Sequence, residues 1–134
     1  MPNYGLLILR LFAGVTMLLG HGLPKLGRYS ELSSTFPDPI GVGSELSYFM
    51  AVGAEVGGAV LLALGLFTRL SSAALFMTMA VAFFVVHGND PFGDKELAFI
   101  YMGMFMTLFC TGPGAYAVQN FFRVSFGRFQ WLFK

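Results

Sequence analysis

The chain has 134 residues, of which 56% are hydrophobic and 11% charged, with 16 Phe and 8 Met and a formal net charge of +1. A soluble domain carries roughly 25% charged residues, so this composition and a mean hydropathy of +0.71 make lipid the main solvent. It excludes a disordered chain, a disulfide scaffold (Cys110 stands alone) and a nucleic-acid binder.

At about 20 residues per span, one domain over 1–134 holds at most four or five membrane helices. The first predicted span, 4–26, is apolar except for Arg10, Thr16 and His21 before Pro24, Lys25 and Arg28, with Pro24 expected to break the helix. Arg10 interrupts the apolar run and no small-x-small cleavage site follows His21, so it reads as a retained helix rather than a signal peptide. An extended outer loop follows, with Phe36-Pro37-Asp38-Pro39 and three glycine or serine breakers before Glu45. The second span, 46–67, is expected to be capped by Ser44, Glu45 and Ser47 and carries Glu55 as its only internal charge. A turn at Thr68-Arg69-Leu70-Ser71 leads to a third span, 70–88, which stops at His87-Gly88-Asn89-Asp90-Pro91. The fourth, 96–112, ends at Gly112-Pro113-Gly114, and the aromatic, basic tail 113–134 is expected to lie as an interfacial segment. The fold class is therefore an all-α integral membrane four-helix bundle.

With four spans, Arg69, Arg123, Arg128 and Lys134 share one side with no acid, while Lys25, Arg28 and Lys95 share the other with all six acids outside the spans. The positive-inside rule then puts both termini in the cytoplasm.

Ionisable groups at membrane depth are costly and mark the candidate ligand or proton site: Arg10, His21, Glu55 and His87. Arg10, Gly14, Met17 and His21 form one helical stripe, and Arg10 either snorkels to the headgroups or makes an internal contact. Glu55 lies about 13–14 Å into its helix, too deep to snorkel. Gly14, Gly53, Gly57 and Gly58 are the helix-packing candidates that let a neighbour approach it. Side chains lean towards their helix amino terminus, which brings His21 and Glu55 to similar depth and leaves His87 as a third member of the cluster. Structural glue, a proton-coupled or quinone-binding redox site, and a metal site compete for this cluster. No ligand spacing supports a metal. Cys110 is expected to be buried and inert, and Tyr48 and Tyr101 to be ordinary span-end aromatics.

Arg10, Gly20-His21-Gly22-Leu23-Pro24-Lys25-Leu26, Glu55-Val56-Gly57-Gly58, Leu64-Gly65-Leu66-Phe67-Thr68-Arg69, His87 and Gly112-Pro113-Gly114, in that order, resemble the DoxX family from about Leu7 to Asn120. The resemblance implies a small bacterial inner-membrane protein of four helices, with the family glutamate at Glu55, the helix-one segment at Gly22 through Lys25 and the family arginine at Arg69. Some relatives in that broader group are membrane subunits of a thiosulfate:quinone oxidoreductase, and others are linked to oxidative-stress defence and thiol homeostasis. It therefore implies a membrane component of a redox system, with quinone as the candidate cofactor and with the bilayer, membrane or redox proteins and further copies of itself as partners. A small proton or solute transporter and a structural accessory subunit are the alternatives. The loop 27–45 and the tail beyond Asn120 depart from the family pattern.

Overall fold

The computed structural model describes residues 1–122, which are helical with no strand among them. Four long helices carry the fold: α1 (Pro2–Leu26), α3 (Ser44–Leu64), α4 (Thr68–Val86) and α5 (Phe92–Thr111), with a short α2 (Tyr29–Leu32) in the outer loop. Among the described residues, α1, α3 and α4 are long and apolar enough to cross a membrane. α5 has 20 residues, and its first five include Asp94, Lys95 and Glu96.

Three of the four helices contain one π-helical turn each: Leu18–Gly22 in α1, Ala54–Gly58 in α3 and Ala82–Val86 in α4. Such a turn adds a residue and rotates everything beyond it by about 100° relative to an unbroken α-helix. In α1 it immediately precedes Pro24, so the helix widens and continues to Leu26 instead of breaking at the proline. Lys25 thus lies in the last helical turn of α1, beyond the proline expected to break it.

α1 packs along α3, α4 along α5, the π-turn of α3 against α4, and α1 back against α5. Each helix contributes to one small core: Ala13 and Met17, Ala59 and Leu62, Leu75 and Met79, and Tyr101, Phe105 and Leu108. Outside it, Ile8, Phe12, Leu19, Met77 and Phe84 are all more than 60% exposed. An apolar exterior of this extent fits hydrocarbon and not water. The chain is a membrane protein whose outer surface contacts the lipid bilayer.

Tight spots in this packing fall on glycines. A Cβ on Gly14 would stand 2.8 Å from the Ala59 carbonyl oxygen, and one on Gly58 would stand 3.3 Å from Leu75 Cγ. Gly53 and Gly57 correct the packing expectation, because a Cβ on either would meet nothing within 4 Å. They face outward on α3.

The chain passes from α3 to α4 in three residues. Gly65 is left-handed at φ 73°, and the Leu66 N–H donates to the Leu61 carbonyl, closing a Schellman cap, while Phe67 at φ 47° is also left-handed. Thr68 and Arg69, expected in this turn, already belong to α4. The start of α3 also differs from expectation. No side chain caps its first-turn N–H groups; instead the Asp38 carboxylate ties the loop to the helix start, accepting from the Val42 and Gly43 N–H groups and the Ser47 hydroxyl at 2.8–2.9 Å. The Gly43 N–H, the largest influence, holds this carboxyl below the usual aspartate range.

After α5, residues 112–122 contain one 3-10 turn, Val118–Asn120. The rest of the expected interfacial tail, 123–134, lies outside the described residues.

Candidate functional site

Glu55 is 1% exposed and its partner is Lys25. The Lys25 ammonium donates to both carboxylate oxygens, at 2.6 Å to Oε1 and 2.7 Å to Oε2, and its own side chain is 29% exposed. A carboxylate this deep in a membrane protein is tolerable only when neutralised and hydrogen-bonded, and Lys25 supplies both.

The pair is positioned by the two facing π-turns. Leu18–Gly22 of α1 lies against Ala54–Gly58 of α3, and Gly22 sits so close that a Cβ there would meet the Glu55 carbonyl oxygen at 2.9 Å. The continuing turn to Leu26 then carries Lys25 over Glu55. From α3, the Tyr48 hydroxyl donates to the Lys25 carbonyl at 2.8 Å, fixing the lysine backbone near a helix end where carbonyls lack intrahelical donors. Tyr48 is itself 1% exposed.

The candidates read from sequence are therefore only partly brought together. His21 is half-buried on the same π-turn, within Coulombic reach of both Lys25 and Glu55, with its ring edge-on to Tyr101 at 5.5 Å between centroids. His87 is not in the cluster: its Nδ1 pairs with Asp90 Oδ2 at 2.7 Å beyond the end of α4, and both side chains are over 40% exposed. The π-turn Ala82–Val86 and the stop after it carry that imidazole out of the bundle. Nor is Arg10. It is 2% exposed and donates to the carbonyls of Ala63, Pro113 and Tyr116, with no acid among these acceptors. It neither snorkels nor faces Glu55, and ties α1 to the end of α3 and to the segment after α5. Gly65 is bare where the guanidinium lies, since a Cβ would stand 2.7 Å from Arg10 Nη1.

Sequence reasoning missed Lys25, Tyr48 and Tyr101. The last two were assigned to span ends, yet Tyr101 is 4% exposed in the core beside His21. Lys25 carried a usable signal, a cation four residues after His21 and directly after proline within the expected span 4–26, but it counts there with the outer-side charges and not with the groups at membrane depth. Cys110 is exposed on α5 rather than buried, because Tyr101, Phe105 and Leu108 take the inward face. Among the described residues, no three His, Cys, Asp or Glu side chains gather in a way that would hold a metal ion.

The family model for DoxX matches residues 5–88, a segment that includes α1, α3 and α4 and every residue of the pair. The chain belongs to the DoxX family. It is 32% identical over 126 residues to an uncharacterized protein of Haemophilus influenzae, covering 89% of this chain and 91% of that one. A second uncharacterized protein of the same bacterium is 25% identical over 109 residues, covering 78% and 72%. No solved structure matches. Within the DoxX chain, all the polar machinery just described except Tyr101, the Asp90 partner of His87 and the Arg10 acceptors after α5 falls inside the matched region.

Proposed function

We propose that this DoxX protein is a membrane component of a redox or oxidative-stress system in the bacterial inner membrane, and that its polar centre, Lys25–Glu55 with His21 beside it, contacts a quinone. α5 serves as the fourth span, its 20 residues reaching about 30 Å at 1.5 Å each, and both termini face the cytoplasm. The observation that carries the reading is the bidentate Lys25–Glu55 contact at a carboxylate only 1% exposed, built where two π-turns meet. π-turns inside α-helices occur frequently at functional sites, and a paired ionisable group at membrane depth marks a ligand or proton pathway.

In chemical terms, Lys25 uses two of its three N–H groups on Glu55, which leaves one donor for an acceptor oxygen of a ligand. His21 adds an imidazole on the same π-turn, whose two ring nitrogens can donate and accept hydrogen bonds near that donor. Electrons are left to a partner redox protein, consistent with a membrane subunit rather than a self-sufficient enzyme.

Purification of the chain from its native membrane, followed by extraction and mass spectrometry, tests this reading. Wild-type protein is expected to retain quinone and Glu55→Gln to lose it while remaining folded. Quinone-free wild-type preparations that also leave quinone-linked activity unchanged would contradict it.

A further inference from the structure

The loop between α1 and α3 holds two apolar side chains in the open: Ile40 is 62% exposed and Val42 42%. Their depth follows from α3. At about 1.5 Å per residue its 21 residues reach about 30 Å, the thickness of a hydrocarbon core, so its start at Ser44 stands at the membrane boundary. The loop tip does not rise away from that level. Asp38 Oδ1 accepts from the hydroxyl of Ser47, the fourth residue of α3, at 2.9 Å, and Phe36 lies edge-on to Tyr48 at 5.6 Å between centroids. The tip is thus folded back beside the first turn of α3. There Leu46, Phe49 and Met50 are each more than half exposed and belong to the apolar exterior that meets lipid, and the tip leads straight into this surface.

The backbone of the tip is equipped for a medium that offers no hydrogen bonds. Pro37 and Pro39 have no N–H, and the N–H groups of Val42 and Gly43 are both taken by Asp38, at 2.9 and 2.8 Å. Gly41 and Gly43, at φ 73° and 100°, let the chain turn around that one carboxylate. A loop surrounded by water needs neither device, because solvent pairs its donors, whereas unpaired N–H groups are costly in lipid. Nearby charges are also paired: Arg28 with Glu31 at 2.8 Å, and Glu45 as acceptor from the Tyr29 hydroxyl at 2.6 Å.

We propose that the tip Ile40-Gly41-Val42 is a membrane anchor, with both side chains dipping into the leaflet that receives the start of α3 while Asp38 stays at headgroup level. The partner is lipid rather than a second protein. Held down in this way, the loop keeps Phe36 on Tyr48, whose hydroxyl fixes the Lys25 carbonyl, so the anchor braces the ion pair from the membrane surface.

Spin-label accessibility of the full chain in phosphatidylcholine nanodiscs tests the anchor. Cys110→Ala removes the native thiol, and Ile40→Cys, Val42→Cys, Met50→Cys and Ser34→Cys are labelled one at a time. Oxygen concentrates in lipid, so it should relax the labels at 40 and 42 more strongly than a water-soluble nickel chelate does, as at Met50 on the lipid face of α3. Ser34, exposed in the polar part of the loop, should show the reverse. Adding Asp38→Ala to Ile40→Cys should shift that label towards the nickel reagent, because the released N–H groups draw the tip to water. Nickel-dominated relaxation at both 40 and 42 would place the tip in water and overturn the anchor. Weak relaxation by both reagents would mean protein packed over the tip and would overturn it equally. A label at 40 that Asp38→Ala leaves unmoved would overturn the role given to Asp38.

Discussion

The two members of the Lys25–Glu55 pair are unequal, and this inequality has measurable consequences. Glu55 is 1% exposed and Lys25 29%, so removing the lysine strands a buried carboxylate, whereas removing the glutamate leaves an ammonium that can turn to the headgroup region. Lys25→Met should therefore cost about 3–5 kcal/mol and Glu55→Gln about 1–2 kcal/mol. The double variant should recover most of the lysine loss. Thermal or denaturant unfolding in one detergent measures all three, and equal costs for the single variants would show that the burial asymmetry has no energetic weight. Arg10 shows the opposite design: its fixed fork of donors satisfies three backbone carbonyls, which a single lysine ammonium could not match. The location of these side chains was legible in the sequence, but their partners were not. Arg10, His21 and Glu55 stand out as interruptions of apolar runs. The acceptors of Arg10 are main-chain oxygens, which carry no side-chain signature.

At the scale of elements, the difference between expected and observed pairing comes from the π-turns. A regular 3.6-residue period places Arg10, Gly14, Met17 and His21 on one stripe and makes His21 the natural neighbour of Glu55. The extra residue in Leu18–Gly22 rotates the last turn of α1 and hands the carboxylate to Lys25. No composition rule announces such a turn, although Gly20, Gly22 and Pro24 around it are poor continuers of an α-helix. Two glycines in that turn separate the close approach from mere flexibility. Gly22→Ala drives a Cβ to 2.9 Å from the Glu55 carbonyl oxygen, whereas a Cβ at Gly20 meets nothing. Gly22→Ala is expected to lower stability by at least about 1 kcal/mol and to weaken quinone binding with it, while Gly20→Ala should be neutral or slightly stabilising. Matching unfolding temperatures for the two would contradict the contact. The Asp38 anchor before α3 was also illegible, because it binds loop N–H groups and the Ser47 hydroxyl rather than lying at the helix start. Its carboxyl sits below the ordinary aspartate range in the folded protein, so its contribution is complete above the unfolded value and is lost as pH falls through the folded one. Acid unfolding should accordingly show a step on the acidic side of the normal carboxylate range that Asp38→Ala removes, and identical pH profiles would argue against this anchor.

Over the whole molecule, membrane residence was the most legible property. It follows from the scarcity of charge and from helices whose apolar side chains mostly face outward. A protein of this kind has a small core, and its polar groups are correspondingly few and specific. Arg10 ties one end of the bundle together, and Lys25–Glu55 with His21 occupies the other half of α1. On the proposed reading, the arginine has the structural task and the ion pair is the centre offered to a membrane-dissolved ligand. The most direct measurement is a decylubiquinone titration of wild type, Glu55→Gln and Arg10→Lys in nanodiscs, each at a temperature where it is fully folded. Binding lost in Glu55→Gln and retained in Arg10→Lys is the predicted result, and undiminished binding in Glu55→Gln would contradict the account.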